Sequence, residues 1–185
     1  IIGVSILFWF IEKKNVRIFA LSSPFRNCLI GIISGMAWLG LSFCIMSLFG
    51  VLKVTQVNVV SMLWLWILSA FINTIMQELL VRGYLYQMIK AKHNIIAATI
   101  ISTALFTFMH GGAFEAGIIP VLNVLTMSLL MTIVLEYTHT LLTSILMHFL
   151  WNSVGSIILG GVSLAEDYPH LFNTCLLYTS PSPRD

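Results

Sequence analysis

From the N-terminus onward, long apolar stretches alternate with short polar breaks, and about 20 apolar residues suffice to cross the hydrocarbon core of a bilayer. Ile1 to Ile11 reads as the remnant of one span, followed by the polar loop Glu12 to Arg17. Cys28 to Gly50 predicts a second span, with Lys53 in the connection after it. Val59 to about His93 is apolar as far as Met76 and mixed beyond it, and at about 1.5 Å per residue it is too long for one upright span. It either tilts strongly or emerges near Arg82 and Gly83 and continues as a surface helix to Lys92. Asn94 to Met109 predicts the next span, stopped by Gly111 and Gly112, because glycine commonly closes a helix. Ala116 to Leu135 predicts another, with Pro120 near its start, where proline is tolerated. Glu136 to His139 then makes a turn, Leu141 to Gly161 forms the last clear span, and Glu166-Asp167 lies in a loop.

Composition agrees with this reading. The chain is 58% hydrophobic and 9% charged, where soluble domains carry about 25% charged residues. The fold class implied is all-α, a polytopic transmembrane helical bundle in the lipid bilayer. A net charge of +2 gives no basis for nucleic-acid binding. Four of the nine basic residues fall in the 12–27 loop and two more are Lys90 and Lys92. Placing these loops in the cytoplasm satisfies the positive-inside rule. His110 then falls toward the far side of its span while Glu78 and His148 lie nearer mid-membrane, unless a bent or partial helix brings them together. Cys28 and Cys44 have no metal-ligand spacing and read as small buried hydrophobes.

The ends read differently from the middle. Ile1 already lies inside an apolar run, which points to a native N-terminus further upstream. Residues 175–185 lose the hydrophobic pattern and resemble the translated frame of a transposase adapter used for sequencing libraries, so they are set aside from fold reasoning. The resulting organisation is 1–58 as N-terminal helices, 59–161 as a core, 162–174 as a partial C-terminal segment and 175–185 as the adapter-like tail.

Three polar constellations interrupt the apolar core. Ionisable groups inside a membrane are costly and usually face the protein interior or mark a functional path. In the first, Glu78 and Arg82 stand four residues apart on one helix face and can pair, either as a structural ion pair or as part of a site. In the second, Phe106 precedes His110 by one turn, and His110 reads as a helix-end residue or a functional one. In the third, His148 and Asn152 again share a helix face, either as interhelical glue or as an acid–base group beside an amide donor suited to an oxyanion.

In order and spacing, Gln77-Glu78-Leu79-Leu80-Val81-Arg82, Phe106-x3-His110 and His148-x3-Asn152 resemble the CAAX-protease and bacteriocin-processing family of intramembrane endopeptidases. Its motifs are Glu-Glu-x3-Arg, Phe-x3-His and His-x3-Asn. The resemblance covers roughly residues 60–160. It implies a helical bundle enclosing an intramembrane catalytic cavity, where a membrane-associated peptide or protein substrate is hydrolysed by glutamate- and histidine-activated water. Carried over, Glu78 and His110 serve the water, His148 and Asn152 hold the oxyanion, and Arg82, Gln77 and Phe106 support the site. The setting implied is a bacterial cytoplasmic membrane, and the reaction needs no cofactor.

One position departs from the family. Gln77 stands where the first glutamate, usually assigned as general base, belongs, and an amide does not take a proton from water. Either Glu78 has taken over the role, or the protein is a weak or inactive member that binds membrane partners, as in bacteriocin immunity. Consecutive helix residues point about 100° apart, so takeover requires a shifted helix or a displaced water. Glu78, His110 and His148 also have the composition of a catalytic zinc site, the less favoured reading because Asn152 suits oxyanion binding better. A proton-coupled transporter using the same three residues as a relay is a further class. Asn73 and Asn123 are expected to hydrogen-bond between helices, and Trp64, Trp66, Tyr84 and Tyr86 to anchor or pack.

Overall fold

The computed structural model describes Phe10, residues 23–160 and residues 169–176. The remaining Ile1–Ile11 remnant, the Glu12–Arg17 loop, the Glu166-Asp167 loop and residues 177–185 lie outside the described residues. The fold is a bundle of apolar helices, and four of them are long and apolar enough to cross a membrane.

The first, α1 (Pro24–Leu48), starts with proline in its first turn, where the missing N–H costs nothing. Gly31 and Gly35 lie on one face of α1 and let the last helix approach closely. A Cβ at Gly31 would lie 3.1 Å from Leu146 Cβ, and one at Gly35 would lie 2.8 Å from Leu150 Cδ1. Small residues one turn apart are the usual means of close helix contact in membranes.

Next, α2 (Leu63–Lys92) runs 30 residues without a break. Arg82 and Gly83 in its middle are buried against the neighbouring helices. Its central stretch, Leu79–Tyr86, is π-helical. The next helix, α3 (Ile95–Phe108), is capped by Asn94, whose side chain accepts from the Ala97 N–H at 2.9 Å. At 14 residues it rises about 21 Å, short of the roughly 30 Å hydrocarbon core. It is a partial span, and that brings His110 to the level of the other site residues.

Gly111 and Gly112 do not close α3. The chain turns at His110, whose carbonyl accepts from the Ala113 N–H at 2.9 Å, and the two glycines open the short helix α4 (Gly111–Ala116). After Gly117, at φ 113°, α5 (Ile118–Thr138) runs through the expected turn at Glu136. The reason is a partner: Lys90 Nζ of α2 meets Glu136 Oε2 at 2.6 Å, and the Tyr86 hydroxyl donates to Glu136 Oε1 at 3.1 Å. Reversal comes at His139, in the left-handed region at φ 54°. The last helix, α6 (Leu141–Ile158), is capped by Thr140, and its second half, Trp151–Ile158, is π-helical.

A two-stranded antiparallel sheet joins β1 (Leu52–Val57) to β2 (Phe172–Leu176). The sequence pattern did not predict these strands, and β2 reaches into the adapter-like segment at Cys175 and Leu176. Helix α6 packs against α1, α2 and α5, which makes it the centre of the bundle. One apolar cluster includes Val81, Phe106, Met127, Met131 and Met147, and a second includes Tyr86, Ile89, Leu135 and Ile145.

Candidate active site

Two polar rows run along α2, one residue out of step. Thr74, Glu78 and Arg82 recur every fourth residue, and all three are wholly buried. Asn73 and Gln77, also four apart, face a cavity of about 380 Å³ instead. On α6, His148, Asn152 and Ser156 form a third row with the same spacing and line the same cavity. Side chains four apart share a helix face, so the phase of each helix decides what its polar groups meet.

The buried row is a closed ionic cluster. Glu78 Oε1 accepts from Arg82 Nη1 at 2.8 Å and from His148 Nδ1 at 2.8 Å. Arg82 Nη2 crosses to α5, donating to the Ser128 hydroxyl at 2.7 Å and carbonyl at 3.2 Å. Its guanidinium carbon also lies 4.2 Å from the centre of the Phe106 ring, a favourable cation–π placement. A buried charge survives only with such partners, because removing one strands the other in a low-dielectric interior. Arg82 Nε and Glu78 Oε2 are buried without a partner.

Phe106 ties the motifs together. Its ring centre lies 4.4 Å from that of His110 and 5.6 Å from that of His148. His110 Nδ1 lies 2.7 Å from the Phe106 carbonyl, which can only accept, so Nδ1 carries the proton and Nε2 a free lone pair. His148 is likewise fixed: Nδ1–H donates to Glu78 and the ring lines the cavity. Asn152 Nδ2 donates to Thr74 Oγ1 at 3.2 Å, which leaves its second amide hydrogen free.

The structure therefore brings Gln77, Phe106, His110, His148 and Asn152 to one cavity and leaves Glu78 and Arg82 behind its wall. Gln77 Oε1 is buried without a hydrogen-bond partner. The zinc alternative does not fit these residues. Glu78 is engaged by Arg82 and His148, and among the described residues no three His, Cys, Asp or Glu side chains converge as metal ligands.

Sequence reasoning missed Ser128 and Thr74 as partners of the site, and it assigned Asn73 and Asn123 to interhelical bonds. Both asparagines line the cavity. The four-residue spacing of Asn73 with Gln77, and of Thr74 with Glu78, was a signal available in the sequence. Ser128 gave none, since its tie to Arg82 spans 46 residues.

A family profile described as type II CAAX prenyl endopeptidase Rce1-like matches residues 58–154, just over half of the chain. No curated protein and no solved structure matches it. The matched segment holds all three motifs and every cavity-lining residue of α2, α3 and α6 except Ser156, and the chain is an integral membrane protein that belongs to the type II CAAX prenyl endopeptidase Rce1-like family.

Proposed function

We propose that this protein is an intramembrane endopeptidase that hydrolyses a peptide bond of a membrane-associated substrate, with His110 as the base. The carrying observation is the His110 tautomer: Nδ1–H is committed to the Phe106 carbonyl, so Nε2 is the atom free to accept a proton. Water between His110 and a bound carbonyl loses its proton to Nε2 as its oxygen bonds to the carbonyl carbon. The C–N bond then breaks, and the proton passes to the leaving amine. General-base assistance of this kind contributes about 10²–10⁴-fold.

The negative oxygen of the tetrahedral intermediate is held by Asn152 and His148. Asn152 offers its free amide hydrogen. His148 acts as the imidazolium partner of the Glu78 carboxylate throughout, with Nδ1–H on Glu78 and Nε2–H turned to the oxyanion. Glu78 is thus a positioning residue rather than a base, and Arg82 holds it from the other side. Family membership supports proteolysis, and the convergence of both histidines with Asn152 supports this division of labour.

A second reading rests on Gln77. It occupies the cavity wall where a carboxylate base is expected, and it makes the protein a member that binds peptides without cutting them. One experiment separates the two. The protein is purified in bicelles and incubated with prenylated and unprenylated membrane peptides, beside Gln77→Glu, His110→Ala and His148→Ala variants. Wild-type cleavage that disappears in both histidine variants is the expected result. Cleavage that survives both removes the mechanism, and cleavage seen only in Gln77→Glu establishes the binder.

A further inference from the structure

The cavity has an unusual lining for a site in a membrane. Among the described residues, it carries no Asp, Glu, Lys or Arg, yet four carboxamides face it: Asn73, Gln77, Asn123 and Asn152. Asn152 is bound to Thr74 and belongs to the oxyanion site already described. Asn73 and Gln77 stand one turn apart on α2, and Asn123 faces the same space from α5. Gln77 Oε1 is the sharpest feature, a buried acceptor with no partner. A buried acceptor left unpaired is unfavourable, and a small rotation of the Gln77 side chain, which lines the cavity, offers it to an arriving donor.

A peptide bond cannot be cut while it is wrapped in a helix, and in a bilayer each backbone group freed by unwinding must find a new partner. A carboxamide offers both a donor and an acceptor, as the peptide group does. We propose that Asn73, Gln77 and Asn123 form a backbone-binding subsite, holding an unwound and uncharged stretch of substrate through amide-to-amide hydrogen bonds. Gln77 Oε1 accepts a substrate backbone N–H, and the three side chains align the segment for His110. This rests on the cavity being the peptide site of the proposed protease. It gives Gln77 a positive role: a carboxylate there would also accept, but would place a charge against an apolar segment.

The test uses the full chain in bicelles with His110→Ala, so that binding is read without turnover. The probe is a synthetic, uncharged apolar peptide with a central Gly-Pro pair and a fluorophore. In a companion series each backbone amide around that pair that carries an N–H, the Gly-Pro bond itself excepted, is replaced in turn by an ester, which removes one N–H and leaves the shape. Esters at one or two positions are expected to weaken binding roughly three- to tenfold, the worth of one neutral hydrogen bond. Adding Gln77→Met should abolish that discrimination at one position, and adding Asn123→Leu should leave it there and abolish it elsewhere. Failure of the peptide to bind, equal binding of all esters, or discrimination that persists in both variants overturns the subsite. Wild-type cleavage without ester discrimination removes the subsite and leaves the protease standing. Ester-sensitive binding without any cleavage does the reverse.

Discussion

Gln77 and Glu78 are adjacent in the chain and differ by an amide for a carboxylate, yet they meet different surroundings. Glu78 points into protein, where Arg82 and His148 share one of its oxygens. Gln77 points into the cavity with its oxygen unpaired. The same contrast continues up the helix, with Thr74 in the buried row and Asn73 in the cavity row. The buried row holds the bundle in place and fixes one histidine, whereas the cavity row borders the space open to a ligand. The rows therefore predict opposite sensitivities, stability for the first and ligand handling for the second.

The largest difference between them should come from Arg82→Met and Gln77→Met. Removing Arg82 leaves Glu78 charged and buried, at a cost of about 3–5 kcal/mol. Gln77→Met removes an unpaired acceptor and should be neutral or slightly stabilising. Thermal unfolding in bicelles followed by circular dichroism reads both, and equal losses would merge the two rows into one.

Asn152→Ala comes next. Loss of one oxyanion donor should lower the cleavage rate about 10²–10³-fold with the unfolding temperature little changed. A fall in stability with an unaltered rate would place Asn152 among the structural residues. Gly35→Leu acts on neither row, but it pushes α1 away from α6, since even a Cβ there would meet Leu150 at 2.8 Å. Overpacking of this kind costs about 1–3 kcal/mol, and Gly40→Leu, where nothing lies within 4 Å, is the neutral control.

The smallest effect belongs to Thr74→Val, where the buried row, as it does at Glu78 and His148, meets the cavity-lining row of α6. Thr74 sits in the buried row but holds the Asn152 amide at 3.2 Å. Interhelical hydrogen bonds in membranes average about 0.6 kcal/mol, so stability should change little. If Thr74 positions Asn152, the turnover rate should still fall while substrate affinity holds. Retained turnover would restrict Thr74 to packing.

Much of this was legible in the sequence because bilayer thickness imposes a length on apolar runs, and four-residue spacing imposes a shared face. The spans at Cys28–Gly50 and Leu141–Gly161 correspond to α1 and α6 within a few residues. The motifs singled out His110, His148 and Asn152, and all three line one cavity. Local signals failed where distant contacts decided. Glu136 was read as a turn residue, but its pairing with Lys90, 46 positions away, keeps it helical. Gly111 and Gly112 have the composition of a helix stop and instead begin one. The facing of Gln77 depends on how α2 is rotated against α6, which no window of sequence contains. The pairing of β1 with β2 spans more than a hundred residues and is equally invisible locally.

The π-helical stretches of α2 and α6 have a consequence for how this chain tolerates inheritance. A π turn accommodates one more residue than an ordinary helix would, and such turns recur at functional sites. Losing a single codon between Leu79 and Tyr86 could restore regular winding without interrupting α2. Because the wide turn absorbs that residue locally, the faces on either side, with Gln77 before it and Lys90 after it, would keep roughly their directions, and only the side chains within the turn would shift. The same loss between Trp151 and Ile158 would displace Ser156 and spare His148. Among descendants of such a gene, single-residue deletions should be better tolerated in these two short windows than elsewhere in the same helices, because the turn and not the whole helix takes up the change.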